Sequence, residues 1–244
     1  MKNGIYPIIS NEKIAENVFK LSLAGDFSSA KPGQFANLKL SGFYLRRPLS
    51  VHHADGEKLS LIYKVVGKGT ERLSGLKAGD IDTLWDLGNG YDLSAAGEYP
   101  LLIGGGAGVP PLYFLAERLT EAGKKVSAVI GFNRKEEVFC EEELKALCVK
   151  VTVTTADGSF GVKGFVTDAL PENYSYVYTC GPEPMLKAVY GAITTGGDFS
   201  FEERMGCGFG ACMGCSCKTV TGYKRICKEG PVLKKEEKLW RIQG

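Results

Sequence analysis

The stretch Pro100-Leu-Leu-Ile-Gly-Gly-Gly-Ala-Gly-Val-Pro-Pro111 decides how the rest of the chain is read. Its first four residues form a short apolar run, the signature of a strand buried in the middle of a sheet. Gly104, Gly105, Gly106 and Gly108 follow, interrupted only by Ala107. Beyond them Leu112, Leu115, Ala116 and Leu119 fall on one face of a helix. Prolines 110 and 111 sit in its first turn, where a missing N–H costs no hydrogen bond. Strand, glycine turn and helix start together make a candidate diphosphate site. Glycines let the backbone approach closely, and the helix offers unpaired N–H groups at its positive end. The spacing is not the full G-x-G-x-x-G fingerprint, and a tight strand-to-helix turn without a ligand is the plain alternative.

Outward from this turn the same period repeats. Residues 125–130 and 149–153 and the segment Tyr176-Val-Tyr-Thr179 read as further strands, and 136–147 and 184–193 as helices. Strands alternating with helices imply a parallel sheet covered on both faces, in a right-handed, Rossmann-like layout over residues 97–200. After the second strand, where an acid would hold a ribose 2′-hydroxyl, stand Asn133, Arg134 and Lys135. The two cations can take a 2′-phosphate or lie in solvent, so NAD and NADP both stay open. Residues 1–96 read differently. Val18-Phe-Lys-Leu-Ser-Leu23 and Phe35-Ala-Asn-Leu-Lys-Leu40 alternate apolar and polar residues, 59–66 is a longer apolar strand, and Pro32-Gly33 and Asp55-Gly56 mark turns. That pattern predicts a small antiparallel barrel or sandwich. Arg46-Arg-Pro-Leu-Ser50 lies at one strand edge, where arginine can fork onto phosphate and serine can bond a ring nitrogen. Gly67-Lys-Gly69-Thr70 is a second turn able to cradle a diphosphate. His52 and His53, with no carboxylate partners in view, are expected to be structural, and Trp85 and Trp240 to pack.

Residues 201–244 hold five of the eight cysteines and are too short for a core of their own, so a metal centre is expected to hold them. Cys207, Cys212 and Cys215 have C-x4-C-x2-C spacing, with Cys227 further on. This is the plant-type [2Fe–2S] pattern, which needs four thiolates around two irons. Residues 218–226 read as a hairpin turning near Gly222, which returns Cys227 to the loop. Cys217 shares a strand face with Cys215 and is set aside because the spacing requires Cys215 as third ligand. A structural zinc is the competing reading, though zinc sites more often carry two C-x2-C pairs. Cys140, Cys148 and Cys180 fall inside helix and strand patterns and are expected to be buried and inert.

Composition excludes other classes. The 244 residues are 44% hydrophobic and 24% charged, an ordinary globular balance of one or two domains. A net charge of +2 leaves no nucleic-acid footprint. The amino-terminal residues carry no signal core, and no apolar run approaches the roughly 20 residues of a membrane span, so a cytoplasmic protein is expected. Crowded cysteines in a core-forming chain point to metal ligation in a reducing compartment.

Taken together, these motifs resemble the ferredoxin-reductase-like flavoprotein superfamily. Arg47-Pro-Leu-Ser50 is similar to its flavin fingerprint R-x-[YL]-[ST], and Pro32-Gly-Gln-Phe35 to its barrel signature. Residues 104–111 are similar to its nicotinamide loop and Cys180-Gly-Pro182 to its C-G-P motif. The segment from Glu203 through Cys217, with Cys227-Lys-Glu-Gly-Pro-Val232 and Leu87-Gly-Asn-Gly90, narrows the resemblance to the electron-transfer subunits of NAD-dependent dihydroorotate dehydrogenase type B. The resemblance implies FAD on Arg47, Pro48, Leu49, Ser50, Ile62, Tyr63, Lys64, Gly69 and Thr70, and NAD on the glycine turn and on Cys180 and Gly181. It implies cluster ligands Cys207, Cys212, Cys215 and Cys227, and a catalytic FMN subunit as partner, in a heterotetramer serving pyrimidine synthesis. Ser50 is the candidate catalytic residue, beside flavin N5. Asp86 departs from the family's usual proline and is expected to bring a negative charge near the meeting point of flavin and nicotinamide. Two rivals remain: a subunit of an NADPH–ferredoxin transhydrogenase or sulfide dehydrogenase, favoured by Arg134 and Lys135, and a zinc-stabilised binding module with a vestigial nucleotide fold.

Overall fold

A computed structural model describes residues 1–238; Trp240 lies outside the described residues. Six antiparallel strands close a barrel: β1 (Lys2–Ala15), β2 (Val18–Ala24), β3 (Phe35–Leu38), β4 (Arg47–Ala54), β5 (Lys58–Lys64) and β6 (Asp80–Leu87), in spatial order β1-β2-β5-β4-β3-β6. Closure leaves no strand edge exposed. The choice between barrel and sandwich is thereby settled. Strand β1 spans both halves, pairing with β6 through residues 2–7 and with β2 through residues 8–15. Leu21, Leu23, Leu38, Leu59 and Leu61 fill the interior. Helix α1 (Lys68–Ser74) plugs one end with Leu73.

A seven-stranded sheet follows, built from β7 (Pro100–Gly105), β8 (Ser127–Phe132), β9 (Lys150–Thr155), β10 (Val162–Lys163), β11 (Tyr176–Cys180), β12 (Gly197–Ser200) and β15 (Val232–Lys234). Its order is β10-β9-β8-β7-β11-β12-β15, parallel except for the last strand. Helix α2 (Val109–Glu121) covers one face and α4 (Glu183–Ala192) the other. The order reverses between β7 and β11, and such a switch point opens a ligand crevice at the carboxyl ends of its strands. Both ends carry motifs singled out in the sequence, Gly104–Gly108 at one and Cys180-Gly181 at the other.

The helix expected over 136–147 is broken. Cys140 takes a left-handed backbone, φ 62°, and only Glu141–Lys145 (α3) is α-helical. Helix α2 also joins the two units. Its Phe114 is fully buried in the barrel core, a burial contributing about 1.5–3 kcal/mol. Its Tyr113 ring stacks on His52 of β4 at 4.5 Å.

The cysteine segment folds as the hairpin β13 (Ser216–Thr219) and β14 (Gly222–Arg225) and then adds β15 to the sheet edge. Cys215, Cys217, Ile226, Cys227 and Leu233 share one core with Phe35 of the barrel and Leu101 and Ile103 of the sheet. The segment therefore leans on both neighbours as well as on any metal it holds. No helix among the described residues is long and apolar enough to cross a membrane.

Candidate functional site

Strand β4 carries the first group. Its two arginines have different fates. Arg46 forks onto Asp82 with two bonds of 2.9 Å, so it holds β4 against β6. Arg47 has no carboxylate partner among the described residues. Its guanidinium lies 4.7 Å from the Phe43 ring centroid and packs so tightly on Gly69 that a Cβ there would fall 2.0 Å from Nε. The two candidate flavin segments, 47–50 and 69–70, are thus brought together around a guanidinium whose Nη1 donates to the Leu45 carbonyl at 2.6 Å and which is left without a countercharge among the described residues. This fits a flavin diphosphate. The Thr70 hydroxyl accepts from Val66 and Gly67 N–H at 2.9 and 3.2 Å, so it braces the turn. On β5, Tyr63 points into the barrel, donates to Asn11 at 3.0 Å and is raised to about 12 by burial. Only its backbone is available to a ligand. Ile62 and Lys64 face the other way, and Lys64 pairs with Glu137 at 3.2 Å. Cross-strand pairing sets Pro48 opposite Asn37 and Ser50 opposite Phe35. Ser50 is half-buried, and its hydroxyl has no hydrogen bond among the described residues.

The second group lines a cavity of about 630 Å³ at the switch point, bounded by Gly105, Gly106, Asn133, Thr154, Met185 and Glu202 among others. Gly108 touches the opposite turn: a Cβ there would lie 2.2 Å from the Cys180 carbonyl oxygen. Gly106 has φ 49° and open space where a side chain would stand. The turn is therefore a bare backbone cradle ahead of α2, which fits a dinucleotide diphosphate. Burial pushes the Cys180 thiol up to about 12, so it is a neutral packing group. Arg134 is ion-paired with Glu16, and Lys135 stands over the Phe160 ring. Glu202 escaped the sequence reading because no spacing marks it. Solvent reaches its carboxylate, but the surrounding cleft raises its pKa by desolvation. Asp86 does not stand free. It accepts from Gln34 at 3.0 Å and pairs with the terminal ammonium at 3.0 Å, so its charge is answered on the barrel.

The third group is the cysteine loop. Ala211 and Cys212 N–H groups point at the Cys207 sulfur at 3.2 and 3.4 Å, and Cys207 N–H points at Cys212 Sγ at 3.5 Å. The Cys227 N–H points at Cys215 Sγ at 3.4 Å. Burial raises the Cys207 thiol, but the N–H groups of Phe209, Cys212 and Ala211 outweigh it and bring it to about 6. Burial and the neighbouring Cys215 and Cys207 sulfurs push Cys227 up to about 12. These contacts tie the sulfurs in two pairs, Cys207 with Cys212 and Cys215 with Cys227, and Cys207 is near enough to Cys227 to raise its thiol. That matches two irons with two thiolates each better than one zinc with four. Among the described residues the trio of metal-ligating side chains gathered within 4.8 Å is a different one, His52, Cys140 and Glu143. There the Lys20 ammonium, 3.5 Å from Glu143, already supplies the positive charge. Cys217 is buried in β13 opposite Lys224, and burial raises its thiol.

Asn89 of the Leu87–Gly90 turn brackets the returning chain. It donates to Val232 O at 2.7 Å and accepts from Val232 N–H at 3.1 Å. Sequence reading recognised this turn only by resemblance, and here its side chain seats the segment that follows Cys227.

Comparison with known proteins agrees with this geometry. Residues 202–238 match the family model for the iron–sulfur cluster binding domain of dihydroorotate dehydrogenase B. Residues 102–190 match that of the oxidoreductase NAD-binding domain. The electron transfer subunit of dihydroorotate dehydrogenase B (NAD(+)) from Bacillus pumilus is 43% identical over 97% of this chain and 98% of its own. The chain belongs to that family. The same subunit from Fusobacterium nucleatum is 44% identical over 91% of this chain and 93% of its own. Among solved structures, a chain of an NADH-dependent reduced ferredoxin–NADP oxidoreductase studied for flavin-based electron bifurcation superposes with TM-score 0.87. It is 30% identical and covers 96% of this chain and 90% of its own. A ferredoxin–NADP⁺ reductase from Neisseria gonorrhoeae, solved with FAD and NADP, shares the fold at TM-score 0.68 and 17% identity, over 79% of this chain and 90% of its own. The family is thus one of oxidoreductase subunits with FAD, NAD and iron–sulfur centres.

Proposed function

We propose that this chain carries electrons between NAD and a catalytic, FMN-containing dihydroorotate dehydrogenase subunit, by way of FAD and a [2Fe–2S] cluster, in de novo pyrimidine (UMP) synthesis in the cytoplasm. Residues 1–96, 97–200 and 201–244 serve as its flavin, nicotinamide and cluster parts, and two copies of each subunit form a heterotetramer. The observation that carries this reading is contiguity. The cluster loop hydrogen-bonds to β3, β3 pairs with the flavin strand β4, and β4 packs on the helix that opens the nicotinamide cleft. When bound, the flavin exchanges electron pairs with nicotinamide and single electrons with the iron–sulfur centre.

The chain's own residues bind and orient. Arg47 and the 69–70 turn receive the flavin diphosphate, while Pro48, Leu49, Ile62 and the backbones of Tyr63 and Lys64 lie along the dinucleotide. Gly104, Gly105, Gly106, Gly108 and the Cys180-Gly181 turn take the nicotinamide dinucleotide. With Arg134 answered by Glu16, NAD is preferred over NADP. Cys207, Cys212, Cys215 and Cys227 hold the cluster, whose exposed neighbours Phe209, Met213 and Tyr223 form the partner's docking face. Ser50 offers its free hydroxyl to the flavin ring. No general acid or base is needed for hydride transfer.

The test is purification with the product of the neighbouring gene, followed by assay of FAD, iron and acid-labile sulfide and of dihydroorotate:NAD⁺ activity. A colourless, zinc-bearing preparation, or a strict NADPH requirement, overturns the reading. Ser50→Ala is expected to slow flavin reduction by NADH roughly 10-fold or more, with FAD retained. Unchanged stopped-flow rates remove Ser50 from the site.

A further inference from the structure

Asn37 is a polar side chain where a core residue would be expected. It lies on β3 between Ala36 and Leu38, both inside the barrel, and points outward with only 1% of its surface exposed. Its Nδ2 donates to the carbonyl of Cys207 at 3.2 Å. Gly208, the next residue of the cluster loop, lies so close that a Cβ there would fall 2.3 Å from Nδ2. Its Oδ1 is buried with no hydrogen-bond partner. Across the ladder Asn37 faces Pro48, inside the flavin fingerprint.

These observations pull in one direction. A buried amide with half its capacity unmet is a standing cost to the fold. An apolar side chain of the same shape would remove the unmet Oδ1, but it would also strip the Cys207 carbonyl of its donor. One amide N–H is spent on the backbone of a cysteine in the cluster loop, and of the residue's two cross-strand partners, Pro48 and Leu84, the first belongs to the candidate flavin strand. Hydrogen bonds of this outer kind fix a ligand's orientation, and their loss typically weakens a metal site about 10–100-fold.

We propose that Asn37 is a positioning residue that ties the cluster loop to β3 and so fixes the cluster's place relative to the flavin strand, at some expense to stability. The inference rests on the assignment of Cys207 as a cluster ligand. The Gly208 contact leaves no room for the loop to settle closer to β3.

The test uses the full-length chain purified with its cofactors, as wild type, Asn37→Leu and Asn37→Asp. Leucine keeps the branched shape and removes both polar atoms. Aspartate keeps the shape and turns the donor into an acceptor facing a carbonyl. Both variants are expected to retain FAD and to be reduced by NADH at the flavin as fast as wild type. Both should release iron to a chelator about 10–100-fold faster, with slower bleaching of the cluster by NADH. Iron lost while FAD and its reduction by NADH stay at the wild-type level separates positioning of the cluster from a merely structural role. If both variants release iron at the wild-type rate, or if iron and FAD are lost together, the proposal is wrong. Should Asn37→Leu fail to fold, Asn37→Asp alone decides by iron release. A wild-type chain without iron would instead refute the assignment of the cluster itself.

Discussion

Two regions use the same side chain to opposite ends. In the nucleotide-binding unit, Cys140, Cys148 and Cys180 are buried, and desolvation pushes Cys148 and Cys180 up to about 12 and Cys140 well above its ordinary value. In the C-terminal loop, Cys207 is brought to about 6 although burial opposes this, while Cys227, buried beside the Cys215 and Cys207 sulfurs, is held up at about 12. The difference lies in the backbone. In these cores burial outweighs what donors there are, Ser200 and Tyr91 at Cys180, so the proton stays. A glycine-rich loop turns N–H groups inward, and those charge-assisted bonds favour the anion a metal requires. Side-chain identity therefore says little about what a cysteine does; the donors around it say much more.

The largest effect should come from exchanging members of the two sets. Cys207→Ser, Cys212→Ser, Cys215→Ser and Cys227→Ser should each abolish the iron–sulfur absorption and lower bound iron to near background. Cys140→Ser and Cys217→Ser should leave both in place. Metal analysis and visible spectra read the outcome directly. A Cys217→Ser variant that loses iron while Cys215→Ser keeps it would redraw the ligand set.

That contrast also explains what could be read in the sequence. A cluster's spacing is local, since three ligands come from one short loop, and so C-x4-C-x2-C was legible before any fold was known. The strand–glycine–helix turn was legible for the same reason. Long-range partners were not. His53 looked like a histidine without carboxylates, yet Glu117, 64 residues away, accepts at 2.8 Å. Asp55, just past the end of β4 and 3.0 Å from the other ring nitrogen, is only two residues on and could have been found. Strand β1 was missed because Gly4 and Pro7 interrupt its alternation and Ile5 and Ile9 face solvent. The helix expected over 136–147 had the right periodicity, but one left-handed residue, Cys140, ends that register, and no local residue type announces it. Glu202 and Asn37 carry no motif; only the packing of distant segments gives them a place.

A middle-sized effect tests how rigid the Cys180 side of the comparison is. Gly108→Ala would drive a methyl group to 2.2 Å from a backbone oxygen of the facing turn. Backbone on both sides cannot yield cheaply, so a loss of about 1–3 kcal/mol of stability, or a comparable loss of NAD binding, is expected. At Gly106 the space is open and only φ 49° opposes a side chain, so Gly106→Ala should cost about 1–2 kcal/mol. Thermal melting and NADH titration of the two variants rank them. A Gly108→Ala chain as stable and as tight-binding as wild type would mean that the two turns are not packed as described.

The smallest effect extends the same opposition, burial against partners, to two adjacent histidines. Burial and then nearby Lys20 lower His52 to about 3. The hydrogen bond to Glu117 raises His53, assisted by Asp55 and opposed by partial burial. His52 therefore contributes stability above its unfolded pKa of about 6.5, and that share is lost as pH falls from there towards 3. His53 behaves in reverse. Its contribution is complete below about 6.5 and disappears as pH rises through its raised folded value. Because His53 links β4 to Glu117 of α2, its charge joins the flavin barrel to the nucleotide unit. The pair is partly exposed, so His53→Gln should cost no more than about 1 kcal/mol. Chemical denaturation at a series of pH values should show the gap between wild type and variant widest near pH 6 and closing at alkaline pH. A gap that widened with rising pH would mean that the imidazole is neutral in the fold, and that Glu117 holds it as an ordinary hydrogen-bond acceptor.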